Sequence, residues 1–209
     1  MLWSVSCSVI METSDQEFWD QRYKGGKIPW DLGRSPAQLT RFVESSGLTP
    51  GRVLIPGCGS GYEVRTFAEH GWQVTAVDFS KAAIKRAKRL LGDYGLLVME
   101  SDFFDPTKSQ GVFDLLYERT FLCSLHPQSW PLYFERVTNL LRSDGYVLGY
   151  FFFGPEDSPP PFPLSVNDIS TFFSPRFSLR EDRPVEDSLS LFENKERWQV
   201  WQRKTSVND

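Results

Sequence analysis

The sequence predicts an α/β fold: a mostly parallel sheet with helices on both faces. Three observations carry that prediction. The apolar run Val53-Leu54-Ile55-Pro56 ends in a turn holding Gly57, Gly59 and Gly61. A second apolar run, Val74-Thr75-Ala76-Val77, ends in an acid, Asp78. From Arg52 onward, strand-like and helix-like segments alternate, which is the pattern of a parallel sheet wound with helices.

The elements follow in order. Asp15 to Tyr23 reads as a short helix, with Ser14 as its N-cap and Glu17 three residues on. Lys24-Gly25-Gly26-Lys27 ends it, and Ile28 to Pro36 is an irregular loop carrying Trp30. Pro36 suits the first turn of a helix running to about Ser45. Strand 52–56, helix 61–70, strand 73–77 and helix 80–91 come next, with Gly71 and Gly92 as the two stops. A third strand lies near 96–100 and a fourth at 113–117. Helix 128–142 follows, and Ser143-Asp144-Gly145 turns into the apolar strand 146–153. Residues 154–163 hold five prolines and fit neither regular element. Residues 166–173 form a brief helix, and 176–181 and 197–202 form two strands joined by a polar, acidic turn. The expected ending is therefore an antiparallel pair on a parallel sheet.

Composition narrows the function. At 209 residues the chain is long enough for one domain with a real core. A net charge of −4 argues against nucleic acid as a partner, because phosphate binding needs a basic face. The basic run from Lys81 to Arg89 has the spacing of a helix with a solvated cationic side. Three scattered cysteines and two histidines support neither a disulfide framework nor a metal cluster. A reducing, cytoplasmic compartment fits that usage, and no run is long enough to span a bilayer. Residues 1–14 read as a disordered leader, and Met11 is an alternative start. Residues 15–209 read as a single domain, and nothing in it demands an oligomer.

The glycine turn points to a nucleoside cofactor. A nicotinamide dinucleotide site wants G-x-G-x-x-G, with the third glycine packing helix on strand. Here the spacing is G-x-G-x-G, and Tyr62 holds the third dinucleotide position. S-adenosylmethionine carries no phosphate and needs only close backbone approach for its amino-acid end. Asp78 is placed to accept hydrogen bonds from both ribose hydroxyls. Asp102, after the third strand, is placed to accept from the adenine amino group, with Phe103 beside the base. Trp19 and Tyr23 lie one helical turn apart and share a face. With Trp30 they offer aromatic surface to a cationic sulfonium. Core packing is the competing account of the Trp19–Tyr23 pair.

These residues resemble a family. Phe18-Trp19-Asp20-Gln21-Arg22-Tyr23, Pro29-Trp30-Asp31-Leu32-Gly33-Arg34, Ile55-Pro56-Gly57-Cys58-Gly59 and Asp102-Phe103-Phe104 together resemble the thiopurine S-methyltransferase family, which includes plant thiol and halide methyltransferases. The resemblance implies a class I methyltransferase fold: a Rossmann-like three-layer sandwich on a seven-stranded sheet, with an N-terminal helical cap over residues 15–47. It also implies S-adenosylmethionine as cofactor and S-adenosylhomocysteine as product. By it, Trp19, Tyr23, Trp30, Gly57, Gly59, Asp78, Asp102, Phe103 and Arg119 would contact the cofactor. Tyr117-Glu118-Arg119 falls where the thiopurine enzymes carry an acid followed by arginine, and the plant enzymes have a tyrosine at the place of Arg119. Tyr23 replaces a tryptophan common in the family. Pro159-Pro160-Pro161-Phe162 with Val166 resembles the family's proline-rich substrate loop.

The expected reaction is methyl transfer to a small soft nucleophile, a thiol or thiopurine, by in-line displacement. Such a thiol needs little base help, which suits a chain poor in histidine. Arg119 would sit at the pocket floor and orient an anionic acceptor, or else pair with Glu118 or another acid. Glu118 would contact the cofactor's methionine end or serve as an ion-pair partner. Cys58 reads as a small turn residue, His126 as a turn residue beside Pro127, and residues 151–153 as buried strand. The alternatives are a halide or selenium/tellurium oxyanion methyltransferase of the same fold, a non-catalytic S-adenosylmethionine-binding module, and an NAD-dependent oxidoreductase.

Overall fold

In the computed structural model, residues 16–107 and 111–205 are described. The expected leader 1–14 and the Ser14 cap lie outside them. Helix α1 (Gln16–Lys24) and helix α2 (Ala37–Ser45) precede the sheet. Strand β1 (Arg52–Pro56), helix α3 (Tyr62–Glu69), strand β2 (Gln73–Asp78), helix α4 (Lys81–Leu91) and strand β3 (Val98–Glu100) form the first half. Strand β4 (Phe113–Arg119), helix α5 (Trp130–Leu140), strand β5 (Leu141–Phe152), the helical turn α6 (Val166–Asp168), strand β6 (Phe177–Pro184) and strand β7 (Glu196–Arg203) form the second.

The seven strands lie in the order β3-β2-β1-β4-β5-β7-β6. All neighbours are parallel up to β5; β7 then runs antiparallel to both β5 and β6. The strand order reverses between β1 and β4. At such a switch point the loops leave in opposite directions and open a crevice at the carboxyl ends of the strands.

Side-chain alternation sorts the two faces. Val53, Ile55, Leu115, Tyr117, Leu148, Tyr150 and Trp198 pack with α2, α3 and α4. Leu54, Leu116, Val147, Phe151 and Trp201 pack on the other face with α5, through Trp130, Tyr133, Phe134 and Val137. Aromatic rings fill much of this second layer: Phe134 meets Phe172 and Phe173, and Phe173 stacks on Trp201 at 4.7 Å. Burying both faces is what makes these strands read as apolar runs.

Five features differ from the sequence reading. The third strand is only three residues, because Gly92–Leu97 winds as a 3₁₀ helix first. The expected helix 128–142 ends at Leu140. The expected turn at 143–145 is a bulge within β5, where Leu141 pairs with Phe113 and Tyr146 with Leu115. Asp144 takes the left-handed conformation there, at φ 61°. Pro36 precedes α2 as its N-cap instead of sitting in its first turn. Residues 169–173 leave the short helical turn as a π turn.

Candidate functional site

The crevice is a cavity of about 590 Å³ at the ends of β1, β2 and β4. Its floor is the turn between β1 and α3. Gly57 has φ 56° and Gly59 has φ 52°, the left-handed region where side chains are strained. Space forbids a side chain as well. A Cβ on Gly57 would lie 2.3 Å from the Phe121 ring, and one on Gly59 would lie 2.5 Å from the Tyr23 hydroxyl. Rings from two distant segments therefore close on bare backbone.

Asp78 locks this turn. Its Oδ2 accepts from the Gly59 amide at 2.9 Å and its Oδ1 from the Ser80 amide at 2.8 Å. Burial pushes its carboxyl up to about 6, against the pull of these hydrogen bonds. Each oxygen keeps a second lone pair. Ser80 caps α4 through the Ala83 amide at 3.2 Å, as its position predicts.

The N-terminal segment is bolted to the same place. The Ser80 hydroxyl donates to Asp20 at 2.6 Å, and the Ala82 amide donates to Asp20 at 3.0 Å. Burial opposes ionisation of Asp20, but those bonds and Lys24 outweigh it and hold its carboxyl below the usual value. Gln16 donates to the Phe79 carbonyl. Asp31 makes the second attachment. Its Oδ2 accepts from the Ser60 hydroxyl at 2.5 Å and from Arg86 at 3.3 Å, while Arg86 also donates to Ser60 at 2.8 Å. Arg86 is thus one member of the basic run that is engaged in the site. These bonds bring Trp19, Tyr23 and Trp30 together at the rim. Trp30 meets Trp19 at 5.5 Å and Tyr23 at 6.2 Å, both edge-on, and all three line the cavity. Neither Trp19 nor Tyr23 belongs to a buried apolar cluster among the described residues.

Strand β4 delivers residues to both faces. Tyr117 and Arg119 line the cavity. Arg119 lies 5.3 Å from the centroid of the Tyr150 ring, and its Nε has no hydrogen-bond partner among the described residues. Burial alone would weaken its charge; Tyr117, Glu63 and Glu196 around it outweigh that and keep it protonated. Glu118 points to the opposite face, and neither of its expected roles describes it. Its Oε1 accepts from the Phe121 and Leu122 amides at 2.9 and 2.8 Å, and its Oε2 from the Tyr133 hydroxyl at 2.9 Å. Thr120 follows at φ 59°. A β-branched residue there stores on the order of 1–3 kcal/mol of strain.

Asp102 and Phe103 both reach the cavity wall. Asp102 is exposed, and its Oδ1 accepts from the Phe104 amide at 2.8 Å. Phe103 is buried among Phe104, Phe121 and Tyr133. Pro160 and Pro161 line the cavity, whereas Val166 stands exposed outside it.

Sequence reasoning missed several wall residues. Leu191 and Phe192 come from the loop between β6 and β7, which reads as a polar turn. Phe192 packs on Phe152 at 5.8 Å, and Trp30 packs against the same cluster. The apolar spacing Leu189-Ser190-Leu191-Phe192 was the available signal. Asp187 of that loop accepts from the Ala37 amide at 3.1 Å and so caps α2 from outside. Glu63, buried in the first turn of α3, also lines the cavity, and burial raises its carboxyl. His126 lines it too; its Nδ1 accepts from the Gln128 amide at 3.3 Å and burial lowers its basicity. Cys58 and Cys123 are buried free thiols, pushed well above the usual range by burial.

These residues fit S-adenosylmethionine. The cradle at Gly57 and Gly59 has no room for a Cβ, Asp78 has acceptor capacity left for hydroxyl donors, and an aromatic rim stands where a cation can be met. Among the described residues, no group of His, Cys, Asp and Glu is placed to hold a metal ion, and no helix is long and apolar enough to cross a membrane.

Comparison with known proteins agrees. The chain is 31% identical over 173 residues to a probable thiol methyltransferase 2 of Arabidopsis thaliana, covering 79% of this chain and 75% of that protein. It is 28% identical to a thiocyanate methyltransferase 1 of Brassica oleracea, covering 93% and 88%. It is 29% identical to a thiopurine S-methyltransferase of Vibrio cholerae, covering 76% and 81%. Among solved structures, a 1,6-didemethyltoxoflavin-N1-methyltransferase of Burkholderia thailandensis with bound S-adenosylhomocysteine superposes with a TM-score of 0.72 at 18% identity, covering 91% and 87%. TehB of Haemophilus influenzae gives 0.66 at 15%, covering 91% and 67%. The family model described as thiopurine S-methyltransferase (TPMT) matches residues 14–207, so this chain belongs to that family of S-adenosylmethionine-dependent small-molecule methyltransferases.

Proposed function

We propose that the methyl acceptor is a small, soft sulfur nucleophile that reacts as its anion, a thiol or a thiopurine. The observation that carries this reading is Arg119. Its guanidinium is protonated and its side chain lines a cavity whose other walls include Trp30, Leu125, Leu132 and Phe192, while its buried Nε has no hydrogen-bond partner among the described residues. A polarisable anion gains there both from charge and from apolar contact. The names of the Arabidopsis, Brassica and Vibrio relatives point to acceptors of this chemistry.

When bound, S-adenosylmethionine supplies a methyl group activated on a sulfonium. The chain's own task is then alignment and exclusion of water. Trp19, Tyr23 and Trp30 attract the sulfonium by about 0.5–2 kcal/mol. Backbone at Gly57 and Gly59 meets the methionine part, and Asp78 accepts from the ribose hydroxyls. Asp102 accepts from the adenine amino group, with Phe103 beside the base. Arg119 contacts the methionine end and orients the acceptor. In this reading residues 15–209 act as one domain with 15–47 as its cap. The protein works as a cytoplasmic monomer, without nucleic acid or membrane.

The test is a methyl-transfer screen with S-adenosylmethionine over aliphatic thiols, thiopurines, thiocyanate, halides and selenium or tellurium oxyanions. Thiols or thiopurines should give the highest kcat/KM. Turnover of halides or oxyanions alone would replace the reading with the alternative one.

A further inference from the structure

Glu118 is a buried acid that the reading above does not use. Four observations surround it. It lies on the face of β4 opposite Tyr117 and Arg119, so it touches neither donor nor acceptor. Its Oε1 holds the amides of Phe121 and Leu122, and its Oε2 holds the Tyr133 hydroxyl of α5. Between Arg119 and Phe121 stands Thr120 in the left-handed conformation. Phe121 in turn covers Gly57, close enough to forbid a Cβ there.

The geometry points to Glu118 as a positioning residue: its carboxylate clamps the strained Thr120 turn, and so aims Arg119 into the cavity and seats Phe121 on the glycine turn. Two amide dipoles and one phenol are the groups that hold the charge. The thiol of Cys123, in the same turn, is the other titratable group near it. Burial raises the Glu118 carboxyl to about 7. A protonated carboxyl accepts more weakly from two amides, so the clamp loosens as the pH falls through that value. This inference rests on the methyl-transfer reading and not on the identity of the acceptor.

The experiment has a spectroscopic arm and a kinetic arm. In ¹⁵N-labelled protein, the Phe121 and Leu122 amides and the Arg119 Nε–H resonance should shift together, with a midpoint near pH 7. Glu118→Gln should abolish all three shifts. With the acceptor found in the screen, Glu118→Gln should lower kcat/KM about tenfold at pH 8 and flatten its pH profile. Leu116→Ala, a cavity in the same strand, is the control for simple destabilisation. Tyr133→Phe keeps the charge and removes one stabilising bond, so it should move the midpoint upward. The inference fails if the Arg119 resonance does not titrate with the two amides. It also fails if Leu116→Ala lowers kcat/KM as much as Glu118→Gln, or if Tyr133→Phe leaves the midpoint in place. Because the spectroscopic arm needs no substrate, a failed screen would refute the proposed acceptor and leave this inference testable.

Discussion

Asp78 ties the stability of the empty protein and its affinity for the cofactor to the same proton. Burial raises its carboxyl from 3.8 to about 6. The folded, ligand-free protein therefore retains a proton that the unfolded chain has already lost. Stability from this group is fully present below about pH 4 and is lost as the pH rises through 6. The difference of about 2.2 between the two values corresponds to at most about 3 kcal/mol, at about 1.36 kcal/mol per unit of pH. Cofactor binding runs the opposite way. Ribose hydroxyls donate, so they favour the carboxylate, and affinity should weaken about tenfold between pH 7 and pH 5. In Asp78→Asn the side chain offers one acceptor oxygen and one NH₂ group. That NH₂ must face either the Gly59 or the Ser80 amide, which then loses its partner. Loss of charge-assisted bonds worth about 1.5–3 kcal/mol each should weaken binding about a hundredfold and remove its pH dependence. Calorimetry with S-adenosylhomocysteine at pH 5, 6, 7 and 8 measures both effects. Wild-type affinity constant within twofold over that range, or Asp78→Asn binding like wild type at pH 8, would refute the reasoning.

Other consequences follow from the same contacts. Gly57→Ala puts a Cβ 2.3 Å from Phe121 on a left-handed backbone, so cofactor affinity should fall at least about tenfold, with a lower melting temperature. Calorimetry and thermal melting check it. Asp31→Ala leaves Ser60 and Arg86 without their shared acceptor and unhooks the loop carrying Trp30. A loss of about 1–3 kcal/mol, read as weaker cofactor binding, is expected, and unchanged affinity would show that the cap is held elsewhere. Arg119→Ala should raise KM for an anionic thiol far more than for a neutral one; equal effects in steady-state kinetics would remove its proposed role.

Much of the fold was legible because it rests on local chemistry. Apolar runs, one closed by the glycine turn and the other by an acid, mark β1 and β2, and Ser80 stands where an N-cap is needed. The boundaries that slipped are those set by pairing. The bulge at 142–145 exists because β5 must pair with β4 across a shift in register, and no local pattern announces that. In the site, the glycine turn and Asp78 were readable as a motif. The role of Glu118 was not, because which face a residue takes at a strand end depends on register. Leu191 and Phe192 were missed because a loop acquires a wall's function only when another segment stands opposite it.

The amino-acid order alone determined the alternation of strands and helices, the spacing of the glycines and the acid after the second strand, since backbone freedom and side-chain periodicity are properties of short segments. Only the tertiary structure decided that Phe121 and Tyr23 close over those glycines, that Asp31 latches the Trp30 loop to Ser60 and Arg86, and that no described residue partners the Arg119 Nε. Each of these depends on groups distant in the chain meeting at hydrogen-bond or van der Waals range, which packing sets and local sequence does not.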